Sequence, residues 1–261
     1  MGDIRLGRLP KTLRWLQVFE ILDQTPLDVP AVAAAAAQAA EQRLSELPDD
    51  PSVTYAFWLL TRIASASRGN NFSGDLDRLG LRADESTSSL AFISSVSDVV
   101  RLQLSSSTSS GHFSELASLA LRRALSETVG QQGRSLFDSS LGDLQGAFRA
   151  YSTKVQFGEL SRRFFGDFFA RLIRSAVDRD VQHHIGKGMT LQSLDEAGDF
   201  QRALDIHARQ TARIMEDFAG SWYSKHNWES RGEISIDDAR GFVAVALRKL
   251  RVDLKLGAAV T

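Results

Sequence analysis

"VQFGELSRRFFGDFFARLIRSAVDRDVQHH", residues 155–184, decides the fold. Phe164, Phe165, Phe168, Phe169, Leu172, Ile173, Ala176 and Val177 recur there at i, i+1, i+4 and i+5. Side chains three and four residues apart share one side of an α-helix, so this spacing makes a wide apolar face, with arginines opposite. Four phenylalanines on that face predict a buried central helix and a thick aromatic core. "IGKGM", 185–189, supplies glycines suited to ending it.

Upstream, "HFSELASLALRRALSETV" at 112–129 predicts another helix. "SSSTSSG" at 105–111 is low in complexity and reads as a flexible connector. It divides the chain into an N-terminal helical region, 1–104, and a C-terminal one, 112–261; an ordinary loop inside one domain is the other reading. "SSLAFISSVSDVVRLQL", 88–104, predicts a helix with Leu90, Ile93, Val96, Val100 and Leu104 along one stripe. The Gly- and Asn-bearing "RGNNFSGDLDRLGLRADES", 68–86, reads as a loop with one short turn. "DDPSVTYAFWLLTRIASAS", 49–67, starts a helix with Asp50 as N-cap and Pro51 at the first position. Alanine-rich 31–47, led by Pro30, and amphipathic 11–23 predict two more.

Downstream, a helix is predicted over about 191–218, and another over about 236–256 with Ser235 as N-cap and Asp237 and Asp238 in its first turn, where the helix dipole favours acids. Between them lies "SWYSKHNWES", 221–230, read as a helix end and connector. No strand alternation and no internal repeat is visible. The class is all-α, with about eight helices in a bundle-like arrangement around the Phe-rich helix.

The bulk composition narrows function mostly by exclusion. Lysine plus arginine is 31 and aspartate plus glutamate 32, so no global basic field is present for nucleic acid. Cysteine is absent, which removes disulfides, thiolate metal sites and a cysteine nucleophile. "MGDIRLGRLPK" has no apolar signal core, Leu6 stands where myristoylation needs Ser or Thr, and no apolar run reaches the roughly 20 residues of a membrane span. A cytoplasmic location, without membrane association, is the expectation.

Several motifs fail on spacing. "GKGMT", 186–190, lacks the upstream glycine and the Gly-Lys-Ser/Thr ending of a phosphate loop. The stretch from Asp75 fails as a calcium hand at Leu79 and Ser86. A set of His184, His207 and Asp205 shows no tetrahedral ligand spacing, and adjacent His183 and His184 point about 100° apart on a helix. No metal and no cofactor is expected.

Two polar patterns remain. In the last helix Arg240, Arg248, Arg251 and Lys255 fall within about 80° of one another, a stripe that could contact nucleic-acid phosphates. "RDVQHH" places Arg179 and His184 at a spacing that resembles the Arg–His motif of the HEPN family of all-α RNases; Arg202 and His207 share it. The resemblance implies metal-independent RNA cleavage, with an imidazole moving the 2′-hydroxyl proton and a guanidinium stabilising phosphate charge. With 25 arginines and five histidines, chance also supplies such pairs.

Trp222, Tyr223 and Trp228 read either as a wedge filling a helix corner or as a partner-binding hot spot. Residues 218–251 also resemble the C-terminal part of helical proteins found in prokaryotic multi-gene defence loci, which implies a subunit working beside other proteins. The leading expectation is a non-catalytic helical subunit or adaptor of a bacterial assembly, one acting on nucleic acid in defence. Alternatives are a nucleic-acid-binding protein using the C-terminal stripe, and the HEPN-like RNase. Other protein subunits are the expected partners, with self-association and nucleic acid as further options.

Overall fold

The computed structural model describes residues 17–18, 20–21, 24, 28–39, 50–106, 113–131, 140–181 and 193–257. Among them the regular structure is helical: α1 (Val29–Ala39), α2 (Pro51–Ala66), α3 (Phe72–Arg78), α4 (Ser89–Ser106), α5 (Ser114–Gln131), α6 (Leu141–Ala150), α7 (Lys154–Val181), α8 (Leu194–Thr211), α9 (Met215–Glu229) and α10 (Ile236–Gly257). The fold is all-α. His183, His184 and the 185–189 stretch lie outside the described residues, as do positions 107–111 of the serine-rich segment.

Local chemistry sets the helix starts. The Asp50 carboxylate accepts from the Ser52 and Val53 amides at 2.8 and 3.3 Å, and Pro51 takes the first helical position. At α10, Ser235 Oγ accepts from Asp238 N while Asp238 Oδ2 accepts from Ser235 N, a reciprocal capping box. Asn71 accepts from Gly74 N and starts α3 inside a segment whose glycines and asparagines suggest a loop. Ser140 and Asp143 form a second capping box at α6, a helix not anticipated from the sequence, which buries Leu144, Ala147 and Phe148 on one face. In α4 the buried stripe is Phe92, Ile93, Val96 and Val100; Leu90 is 42% exposed, so the buried face is rotated toward Phe92.

α7 is the axis of the molecule. Its 28 residues span about 42 Å. Phe157, Phe164, Phe165, Phe168 and Phe169 are all buried. α8 and α9 follow one another with only a tightened 3-10 turn, Ala212–Ile214, between them, and both run antiparallel to α7. The close approach rests on glycine: a Cβ on Gly158 would lie 2.1 Å from the Glu216 carbonyl oxygen, and one on Gly220 would lie 2.3 Å from that of Lys154. α9 therefore reaches Glu229, carrying the tryptophan stretch within it. The stretch expected as a helix end and connector is helix as far as Glu229; no proline interrupts it, and Gly220 lets it lie close against the α7 backbone.

Phe57 of α2 joins the layers. Its ring lies 5.3 Å from Phe165, 6.2 Å from Phe157, 4.8 Å from Phe242 and 5.7 Å from Trp222, touching α7, α9 and α10 at once. Rings at these separations and mixed tilts pack favourably beyond the area they bury. A single core cluster contains residues from both sides of the serine-rich segment. Among the described residues, no helix is long and apolar enough to cross a membrane.

Candidate functional site

α2 is almost wholly buried, and Arg62 is the only charge in it. At 9% exposure a guanidinium needs partners, since burial without them is costly. Arg62 Nη1 donates to the Gly232 carbonyl at 3.1 Å and lies 2.5 Å from Glu233 Oε2, while its Nε has no hydrogen-bond partner among the described residues. One turn earlier, Trp58 Nε1 donates to the Ile234 carbonyl at 2.9 Å. One turn later, Ser65 Oγ donates to Asn227 Oδ1 at 2.7 Å; the Tyr223 hydroxyl, 3.2 Å away, then donates to Ser65. Trp58, Arg62 and Ser65 share one face of α2. Trp58 and Arg62 hold the α9–α10 turn by its backbone, and Ser65 holds the end of α9 through the Asn227 side chain.

That clamp forms the floor between two openings. The larger, a groove of about 1060 Å³, is lined by Tyr55, Trp58, Arg62, Arg78, Leu79, Val99, Leu102, Ile234 and Ile236 among others. Its rim leaves Leu102 67% exposed, with Ile236 also open to solvent. The smaller, a polar cleft of about 340 Å³, is lined by Arg62, Ser65, Arg68, Asp75, Asn227, Arg231 and Glu233. Arg62 and Glu233 belong to both. Burial pushes the Tyr55 hydroxyl above its usual pKa, and also that of Tyr223, where the Ser65 hydrogen bond and the Arg68 charge oppose it. Both phenols stay neutral at physiological pH.

The hydrogen bond from Arg62 holds the Glu233 carboxyl below the usual range, aided by the charges of Arg62 and Arg78 and opposed by slight burial. A depressed carboxylate contributes stability that is present above its unfolded value of 4.5 and is lost as pH falls through the lower folded value. Between about pH 5 and about pH 3, wild-type protein therefore loses more stability to urea than Glu233→Gln does. Parallel pH profiles for the two proteins would show that the clamp does not depend on this charge.

The residues singled out from sequence are scattered. Tyr223 is buried, stacked on Phe157 with centroids 3.8 Å apart. Trp222 is half-buried against Phe57 and Phe242. Trp228 is 82% exposed, so it does not wedge the corner. Arg240 is exposed but contacts Asp237 at 2.5 Å, and Arg248 donates to the Ala244 carbonyl of its own helix. Arg251 and Lys255 lie on α10, and Arg179 on α7, with side chains outside the described residues. Arg202 pairs with Asp199; His207 is half-buried, and burial lowers its pKa. Among the described residues, no three histidine or acidic side chains gather to hold a metal ion.

The clamp was not singled out from sequence. Its signal is local: one arginine in a helix otherwise free of charge, spaced from Trp58 and Ser65 so that all three face one way. What lines the site is guanidinium, aromatic, aliphatic and amide, with the carboxylates of Glu233 and Asp75 paired to Arg62 and Arg78, and the Ser65 hydroxyl donates to Asn227 rather than being held by a base. The arrangement suits binding. In comparisons with models of protein families, with curated proteins and with solved structures, the chain finds no match.

Proposed function

We propose that this chain is a non-catalytic helical subunit or adaptor, and that it takes an apolar anchor of a partner protein in the groove beside α2. The observation that supports this is the groove itself: an aromatic and aliphatic wall with Leu102 and Ile236 open at its rim, above a floor fixed by the Trp58 and Arg62 hydrogen bonds. A rigid floor lowers the ordering cost of binding, and apolar pockets rimmed by polar groups hold the anchors of protein interfaces. The C-terminal basic stripe has less to offer, since Arg240 and Arg248 are engaged within their own helix.

Leu102→Glu and Ile236→Glu replace exposed rim side chains and are expected to leave the fold intact, which circular dichroism checks. In a tagged pull-down from native cells treated with nuclease, wild-type protein is expected to retain stoichiometric partners that both variants lose. Partners retained equally by the variants would remove the groove from the interface. A lone protein that cleaves RNA without metal, and stops in His184→Ala, would support the HEPN-like reading in its place.

A further inference from the structure

The small cleft beside the clamp carries an unbalanced charge. Of its acids, Glu233 is satisfied by Arg62, and Asp75 by Arg78 at 2.9 Å. Arg68 and Arg231 also line the cleft, are exposed, and have no acidic side chain within 4.0 Å among the described residues. Two guanidinia are thus in excess on one small polar surface.

The backbone at Arg231 points the same way. Arg231 has φ +53°, the left-handed region, and Gly232 follows at φ +90°. This is the end of α9, where Gly232 N closes onto the Asn227 carbonyl at 2.9 Å. Glycine is the residue that such a position favours, and a side chain there is disfavoured. Arginine stands where glycine would be more stable, and its side chain borders the cleft. Residues held in unfavourable backbone regions concentrate where a side chain serves binding.

We infer that this cleft is an anionic subsite, in which Arg68 and Arg231 take the carboxylates of an acidic stretch flanking the partner's apolar anchor. The planar guanidinium matches a carboxylate with paired hydrogen bonds. The cleft adjoins the groove through Arg62 and Glu233, so one extended segment spans both. The inference rests on the partner-binding reading only for what delivers the carboxylates.

The test is titration calorimetry of the full chain with a hexaglutamate peptide and, separately, with inorganic phosphate, at low and moderate salt. Hexaglutamate has no apolar anchor, so its binding does not depend on the groove. Wild-type protein is expected to bind it more tightly at low salt. Arg231→Gly and Arg68→Gln are each expected to weaken it at least about tenfold. The melting temperature of Arg231→Gly is expected to equal or exceed that of wild type. A clear fall in that melting temperature makes Arg231 structural and overturns the inference. So does hexaglutamate binding that ignores both substitutions, absence of binding, or binding of phosphate alone. Failure here with a groove-dependent pull-down intact would sink the subsite and leave the groove; the converse would sink the groove and leave the subsite.

Discussion

Gly158→Ala is expected to lower the melting temperature by roughly 6–12 °C, from a cost of about 3 kcal/mol. A Cβ at this position would stand 2.1 Å from the Glu216 carbonyl oxygen and 2.9 Å from its carbon. Those atoms are backbone in α9 and cannot rotate away. The helices must separate, and their separation disturbs the Phe157–Tyr223 stack and the Arg162–Glu216 contact at 2.5 Å. Alanine's better helix propensity returns up to about 1 kcal/mol, which does not offset the clash. Gly146→Ala and Gly241→Ala are the controls: a Cβ at either meets nothing within 4 Å, so propensity alone acts and stability rises slightly. Thermal unfolding followed by circular dichroism reads all three. A Gly158→Ala protein as stable as wild type would mean that α7 and α9 do not approach this closely.

Asp167→Ala is the second large effect, about 3 kcal/mol of stability. The Asp167 carboxylate is buried and meets Arg171 Nε at 2.6 Å, Arg209 Nη2 at 3.3 Å and Arg123 Nε at 3.4 Å, joining α5, α7 and α8. Removing it leaves three guanidinia facing one another. Glu127 offsets part of this, since it also contacts Arg123 at 2.8 Å, and partial exposure of the arginines lets water offset more. Asp167→Asn keeps the volume but loses the charge, so it is expected to be destabilised almost as much. Because the carboxylate is buried, half-molar salt should leave most of the difference in place. Urea unfolding at low and high salt measures it; a loss that disappears with salt would make the cluster an ordinary surface network.

Much of the fold is legible because its rules are local. The Phe164–Phe169 spacing makes α7 a buried helix wherever it packs, and Asp50–Pro51 and Ser235–Asp238 start helices through hydrogen bonds spanning three residues. α3 and α6 are less legible, since glycine, asparagine and aspartate suit turns and caps alike, and only the neighbours against which Leu76, Leu144 and Phe148 bury make helix the outcome. The tryptophan stretch reads as a corner because its aromatics follow no single face. It is helix through Glu229 and packs along α7 with Gly220 against the Lys154 carbonyl, a contact with no local mark.

The binding surface divides in the same way. The sequence by itself determined an all-α chain, its main caps and a lone arginine in an uncharged helix, since propensity, periodicity and capping act within a few turns. Only the tertiary structure decided that Arg62 meets the carbonyl of Gly232, 170 residues away, and that Arg231 adopts a left-handed backbone beside Arg68. Partners that far apart along the chain are chosen by how helices stack. The sequence pattern says which face of a helix is buried but not which other helix covers it.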